Sequence, residues 1–120
     1  MSASRLAHVA VNAEDVETVS DFYAGVFGWE FHEYMPGFVR AELPDGTVCA
    51  IQQRRQLGAH PVYGTETTFA VDDVEAFAAA VVVHGGRVLM APTTIPGVGD
   101  LAFAEDPDGN VVGAMRFAPR

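Results

Sequence analysis

Apolar positions along the chain recur with two different periods. Residues 5–11 place Leu6, Val9 and Val11 in a short stretch that reads as a strand. Residues 14–27 carry Val16, Val19, Phe22, Tyr23 and Val26 at three- and four-residue spacing, which predicts a helix with one apolar stripe. Asn12 is a candidate cap for its start, and Gly28 suits a left-handed C-terminal position. Bulky and polar residues then alternate over 29–35. Pro36-Gly37 turns the chain, 38–43 returns, and Pro44-Asp45-Gly46 predicts a hairpin turn into a strand over 47–53. Residues 54–64 show no period and contain Gly58, Pro61 and Gly64, so they read as a linker.

The second half runs through the same series. A strand over 66–71 leads to Asp72, read as a helix cap with Glu75 completing a capping box. An Ala- and Val-rich helix runs to about His84 and stops at Gly85-Gly86. Residues 87–90 read as a strand, 92–99 as a loop over the rim of any site, 100–105 as a strand, and 111–117 as the last strand after the Pro107-Asp108-Gly109 turn. Asp73-Val74-Glu75 repeats Asp15-Val16-Glu17, and the two Pro-Asp-Gly turns fall at matching places. The pattern is therefore βαβββ twice, an α+β chain. It forms one domain over 1–120, with a first module at 4–53, a linker at 54–65 and a second module at 66–118. One helix covers only one face of each sheet, so the other face must meet a protein surface or a ligand.

Composition narrows the function classes. Hydrophobic residues make up 49% of the chain, enough for a packed core. No apolar run of membrane-spanning length and no signal-peptide pattern is visible, so the expectation is a cytoplasmic protein without a membrane partner. A lone Cys49 fits a reducing compartment, and its place on the helix-facing side of a strand predicts an inert thiol. The net charge is −9 and all seven bases are arginine, which argues against nucleic acid and is compatible with a cationic ligand.

The stretch His8-Val9-Ala10-Val11, then Phe22-Tyr23 and Val26-Phe27-Gly28-Trp29-Glu30, resembles the opening of the vicinal oxygen chelate superfamily of glyoxalases, bleomycin-resistance proteins and extradiol dioxygenases. The run 103–113, Phe-Ala-Glu-Asp-Pro-Asp-Gly-Asn-Val-Val-Gly, is similar to its closing motif. Ile95-Pro96-Gly97-Val98-Gly99 resembles a glyoxalase-like subgroup. The resemblance implies two tandem βαβββ modules forming a half-open barrel around a concave site, often in a homodimer. It also implies, in the metal enzymes, one ligand on the first strand and one on the last strand of each module.

Carried over residue by residue, the first-strand positions fall on His8 and Glu66, both able to bind a divalent ion. The last-strand positions, four residues past each turn glycine, fall on Ala50 and Gly113, which have no donor. Gln52, two residues on, offers only an amide. The leading expectation is therefore a site without metal or other cofactor, with a divalent ion on His8, Gln52 and Glu66 as the alternative. Strand alternation puts His8, Ala10 and Asn12 on one face, with Glu66 and Thr68 on the corresponding face of the second module. His8 and Glu66 are the candidate catalytic acid–base pair, or else retained polar groups in a wet cavity.

With Ala50 and Gly113 small, the cavity floor is expected to leave room for a flat ligand. Trp29, Tyr34, Met35 and Phe38 on the first hairpin, with Gln52, Phe103 and Met115, are the other candidate ligand contacts. The reading is a small-molecule binding protein of the bleomycin-resistance type, sequestering a planar, apolar or cationic natural product without metal. Antibiotic resistance would follow from such sequestration. The rivals are a glyoxalase-like metal-dependent lyase, isomerase or dioxygenase, and a metal-free lyase or epimerase.

Overall fold

A computed structural model describes residues 4–119. The first module comprises β1 (Arg5–Ala13), α1 (Val16–Phe27), β2 (His32–Met35), β3 (Phe38–Glu42) and β4 (Val48–Gln53). Two short strands follow, β5 (Arg55–Leu57) and β6 (His60–Val62). The second module comprises β7 (Thr65–Ala70), α2 (Val74–Val83), β8 (Arg87–Ile95), β9 (Gly99–Glu105) and β10 (Val111–Phe117). Eight strands form one sheet in the order β2-β3-β4-β1-β7-β10-β9-β8. Each module pairs its first and last strands in parallel, β1 with β4 and β7 with β10. The modules join edge to edge through antiparallel β1 and β7 of the same chain.

Both helices lie on one face of this sheet. Asp15 caps α1, accepting from the Thr18 amide at 3.1 Å, and Asp73 caps α2 by accepting from the Ala76 amide at 2.9 Å. The expected caps were Asn12 and Asp72; Asn12 still lies in β1 and Asp72 in the bend before α2, and in each case a later aspartate reaches the first-turn amide. Under α1, Val16 packs with Cys49, Ile51 and Ala13, joined by Val19, Tyr23 and Trp29. Under α2, Val74 packs with Val71, Ala102 and Ala114, joined by Phe77. Part of the predicted α1 stripe stays outside. Phe22 and Val26 are 60% and 58% exposed, because the apolar arc is wider than the strip of sheet beneath the helix. Burial raises the Cys49 thiol above its ordinary pKa, in keeping with an inert group.

Three elements differ from the sequence expectation. The strand predicted over 29–35 begins only at His32, because Trp29 is drawn into the helix-side core. β8 continues through Pro92 to Ile95, where a loop was expected. It is the outer strand of the sheet and its register shifts between Met90 and Thr93, so the missing proline N–H costs no ladder bond. The stretch 54–64 contains the hairpin β5–β6 around a two-residue Gly58-Ala59 turn. Leu57 and Val62 are its two buried side chains, and they pack on Phe103 with Leu89, Met90, Leu101 and Val111 around them. The hairpin thus fills the open face of the second module.

Candidate functional site

The register fixes what the face opposite the helices displays. His8 pairs with Val48 and Thr68, Ala10 with Ala50 and Glu66, and Asn12 with Gln52. Paired residues in adjacent strands point the same way, so His8, Asn12, Ala50, Gln52, Glu66 and Thr68 share this concave face. β3 adds Phe38 and Arg40, which pair with Gln52 and Ala50. β10 and β9 add Gly113 opposite Phe103, and Met115 opposite Leu101. His8 and Glu66 are diagonal neighbours across the β1–β7 seam, a spacing of about 7–8 Å between backbones.

Glu66 is 3% exposed, and donors from three side chains surround its carboxylate. The Asn12 amide donates to Oε2 at 3.1 Å, the Gln52 amide at 3.2 Å and Arg55 Nε at 3.1 Å, while Arg55 Nη2 donates to Oε1. Gln52 Nε2 also donates to Asn12 Oδ1 at 3.0 Å, and Asn12 Nδ2 to the Gly64 carbonyl at 3.1 Å. Arg55 lies over the Phe103 ring, 4.7 Å from its centroid. The hairpin therefore delivers a guanidinium to the buried acid and two apolar side chains to the ring beneath it.

A divalent ion does not suit this arrangement. The Glu66 oxygens already accept from a cation and two amides, and Gln52 turns its donor nitrogen, not its acceptor oxygen, toward them. Ala50 and Gly113 contribute nothing. Among the described residues no three His, Cys, Asp or Glu side chains cluster as an ion would need. The donor set does not fit a metal.

His8 is half-buried and has no hydrogen-bond partner among the described residues. Burial lowers its pKa first, and the Arg40 charge lowers it further. Glu66 opposes the shift and Arg55 adds to it. The imidazole is neutral at physiological pH, with a free nitrogen lone pair on the concave face.

The other candidate contacts divide. The expected room above Gly113 is filled: a Cβ there would lie 2.7 Å from both the Phe103 ring and Thr68 Oγ1. Ala50 is fully buried and Phe103 nearly so. Trp29 lies on the helical side, stacked on Phe27 at 4.6 Å and Tyr23 at 6.1 Å. Tyr34 and Met35 are exposed, Phe38 and Met115 half-buried. Open space lies further along the concave face, toward the start of β1. A cleft of about 540 Å³ is lined there by Arg5, Ala7, Arg40, Glu42, Val48, Val98 and Phe117, with Gly46, Gly97, Ala118 and Pro119 at its margins. Asn12, Arg55 and Arg40 escaped the sequence reading as site residues. Asn12 was detectable from its parity with His8. Arg55 was not, because the pairing of β5 with β6 depends on the Phe103 surface beneath it.

Paired βαβββ modules with helices outside and polar first-strand residues on the concave side define the class. The chain belongs to the Glyoxalase/Bleomycin resistance protein/Dioxygenase superfamily, whose family model matches residues 5–113. It is 30% identical over 122 residues to the anthracycline biosynthesis protein DnrV of Streptomyces peucetius, covering 88% of this chain and 44% of that protein. It is 33% identical over 113 residues to the putative glyoxylase CFP32 of Mycobacterium tuberculosis (strain CDC 1551 / Oshkosh), covering 88% and 42%. The chain thus spans less than half the length of these relatives. A variant of Streptomyces coelicolor methylmalonyl-CoA epimerase in complex with 2-nitronate-propionyl-CoA superposes with a TM-score of 0.67 at 22% identity, covering 98% of this chain and 100% of that one. A superfamily member from Vibrio splendidus 12B01 gives 0.69 at 18% identity, covering 97% and 100%. At such identities the likeness is one of fold.

Proposed function

We propose that this protein binds a small planar organic molecule on the concave face of its sheet, without a metal ion. The observation that carries the reading is the engagement of Glu66 by Arg55, Asn12 and Gln52, which occupies the carboxylate of the first-strand ligand position with donors. The adjoining cleft of about 540 Å³ falls within the range of small-molecule sites. The name of one relative, an anthracycline biosynthesis protein, is in keeping with a flat polycyclic ligand. Sequestration in the bleomycin-resistance manner, a homodimeric assembly and a cytoplasmic setting belong to this same proposal; no helix among the described residues is long and apolar enough to cross a membrane. The cationic ligand suggested by net charge is not supported locally, because the cleft holds Arg5 and Arg40 against one acid, Glu42.

The test uses 2-naphthol, a neutral planar probe. Amide chemical shifts in β1, β3 and β10 should move on titration and be unaffected by EDTA. Shifts that vanish with EDTA and return with zinc would overturn the metal-free reading.

One observation favours a second reading, a metal-free lyase or epimerase. His8 presents a neutral imidazole to the concave face, as a general base must. Glu66 serves less well in that role, since its oxygens are taken. Under this reading H8Q abolishes turnover and leaves binding intact.

A further inference from the structure

Arginines in this chain are few, and their partners are revealing. Among the described residues Arg54 meets Glu14 at 2.8 Å, Arg55 meets Glu66, Arg87 meets Glu105 at 2.8 Å, and Arg116 meets Asp100 at 4.0 Å. Two arginines, Arg5 and Arg40, have no carboxylate within ion-pair distance among the described residues. Both line the same cleft of about 540 Å³ on the concave face. Among the described residues, the two arginines without an acid partner thus meet in one cavity.

We infer that this cleft is an anion site, and that its ligand is a planar organic acid whose carboxylate is held by Arg40 and Arg5. The inference rests on the binding function proposed above and names the chemistry of its ligand. Arg40 is positioned for the task. Its guanidinium lies over the Tyr34 ring, 5.4 Å from the centroid, which orients a flexible side chain without consuming its charge. A guanidinium presents paired N–H groups that match the two oxygens of a carboxylate. Phe117, 47% exposed, and Val98 supply apolar wall for the flat body of the ligand. Glu42 lines the same cleft two residues from Arg40 on β3 and sets a selectivity limit, since a second negative group on the ligand would meet it.

The test compares three probes of one shape by NMR titration of the full chain: 2-naphthoate, 2-naphthamide and 2-naphthylmethylamine. The acid should bind at least about tenfold tighter than the amide, and the amine weakest. R40A and R5A should each lower affinity for 2-naphthoate by a clearly larger factor than for 2-naphthamide. R40K, which keeps the charge but loses the fork, should fall between. Both arginine residues are exposed, and an undisturbed amide spectrum in each variant confirms that it is folded. Equal binding of acid and amide, or an R40A variant that binds 2-naphthoate normally, would overturn the anion site while leaving the binding proposal standing. If no probe, 2-naphthol included, moves a concave-face resonance, both fall.

Discussion

At the scale of single residues, His8 and Gly113 carry the sharpest consequences. The folded protein holds His8 below its ordinary pKa of 6.5 through burial and the nearby Arg40 charge. The unfolded chain therefore takes up a proton at higher pH than the folded one. The associated stability is complete above about pH 6.5 and is lost as pH falls toward the lowered folded value. Urea midpoints measured from about pH 7.5 down to about pH 5 should fall more steeply for the wild type than for H8Q, since carboxylate titrations are common to both. A parallel fall would show that His8 titrates alike in both states. Gly113 is a matter of contact distance. The ring of Phe103 and the hydroxyl of Thr68 already stand where a methyl would go. G113A should lose about 1–3 kcal/mol by denaturant unfolding, and F103L should recover part of that in the double variant. The sequence alone suggested the opposite, that a glycine here opened a cavity. A missing side chain leaves room only if no neighbour moves in, and the neighbour is set by strand pairing.

Among the elements, the β5–β6 hairpin reshapes the site most. It places Arg55 on Glu66, and Leu57 and Val62 on Phe103. Removing Arg55 leaves a buried acid with amide donors only, so R55A should destabilise by about 3 kcal/mol. The pair R55M/E66L should be far milder than either single change, because an apolar couple needs no counter-charge. Equilibrium unfolding of the variants checks this; additive losses would mean the ion pair is unimportant. Element by element, much of this architecture was legible beforehand. Both Pro-Asp-Gly turns sit at equivalent places, with Gly46 at φ 89° and Gly109 at φ 90°, because no other residue takes that conformation cheaply. The first helix was legible from its period, and the second from its Ala- and Val-rich run ending at Gly85-Gly86. The alternation that put His8 and Glu66 on one face was legible too, because side-chain direction in a strand needs only parity. The hairpin was not, since three-residue strands leave no period to read and their burial depends on residues about forty positions away.

For the whole molecule, the seam between β1 and β7 is the decisive contact. It turns two four-stranded sheets into one of eight, and it runs between the very strands that bear His8 and Glu66. Residues 4–53 alone would expose the whole edge of β1. An exposed, regular edge invites pairing with another copy. Light scattering on that fragment should find dimers or aggregates, whereas a stable monomer would show that the seam contributes little.

The two halves of this duplication are no longer alike on their inner surface. In the second, the inserted hairpin occupies the hollow; the first supplies Arg5 and Arg40 to the cleft, which the second closes only at its margin with Val98 and Phe117. A repeat with twofold ancestry would ordinarily suggest a matched set of vestibules. Here the stoichiometry should instead be a single equivalent of guest per polypeptide, and calorimetry that counted two would mean the hairpin swings aside.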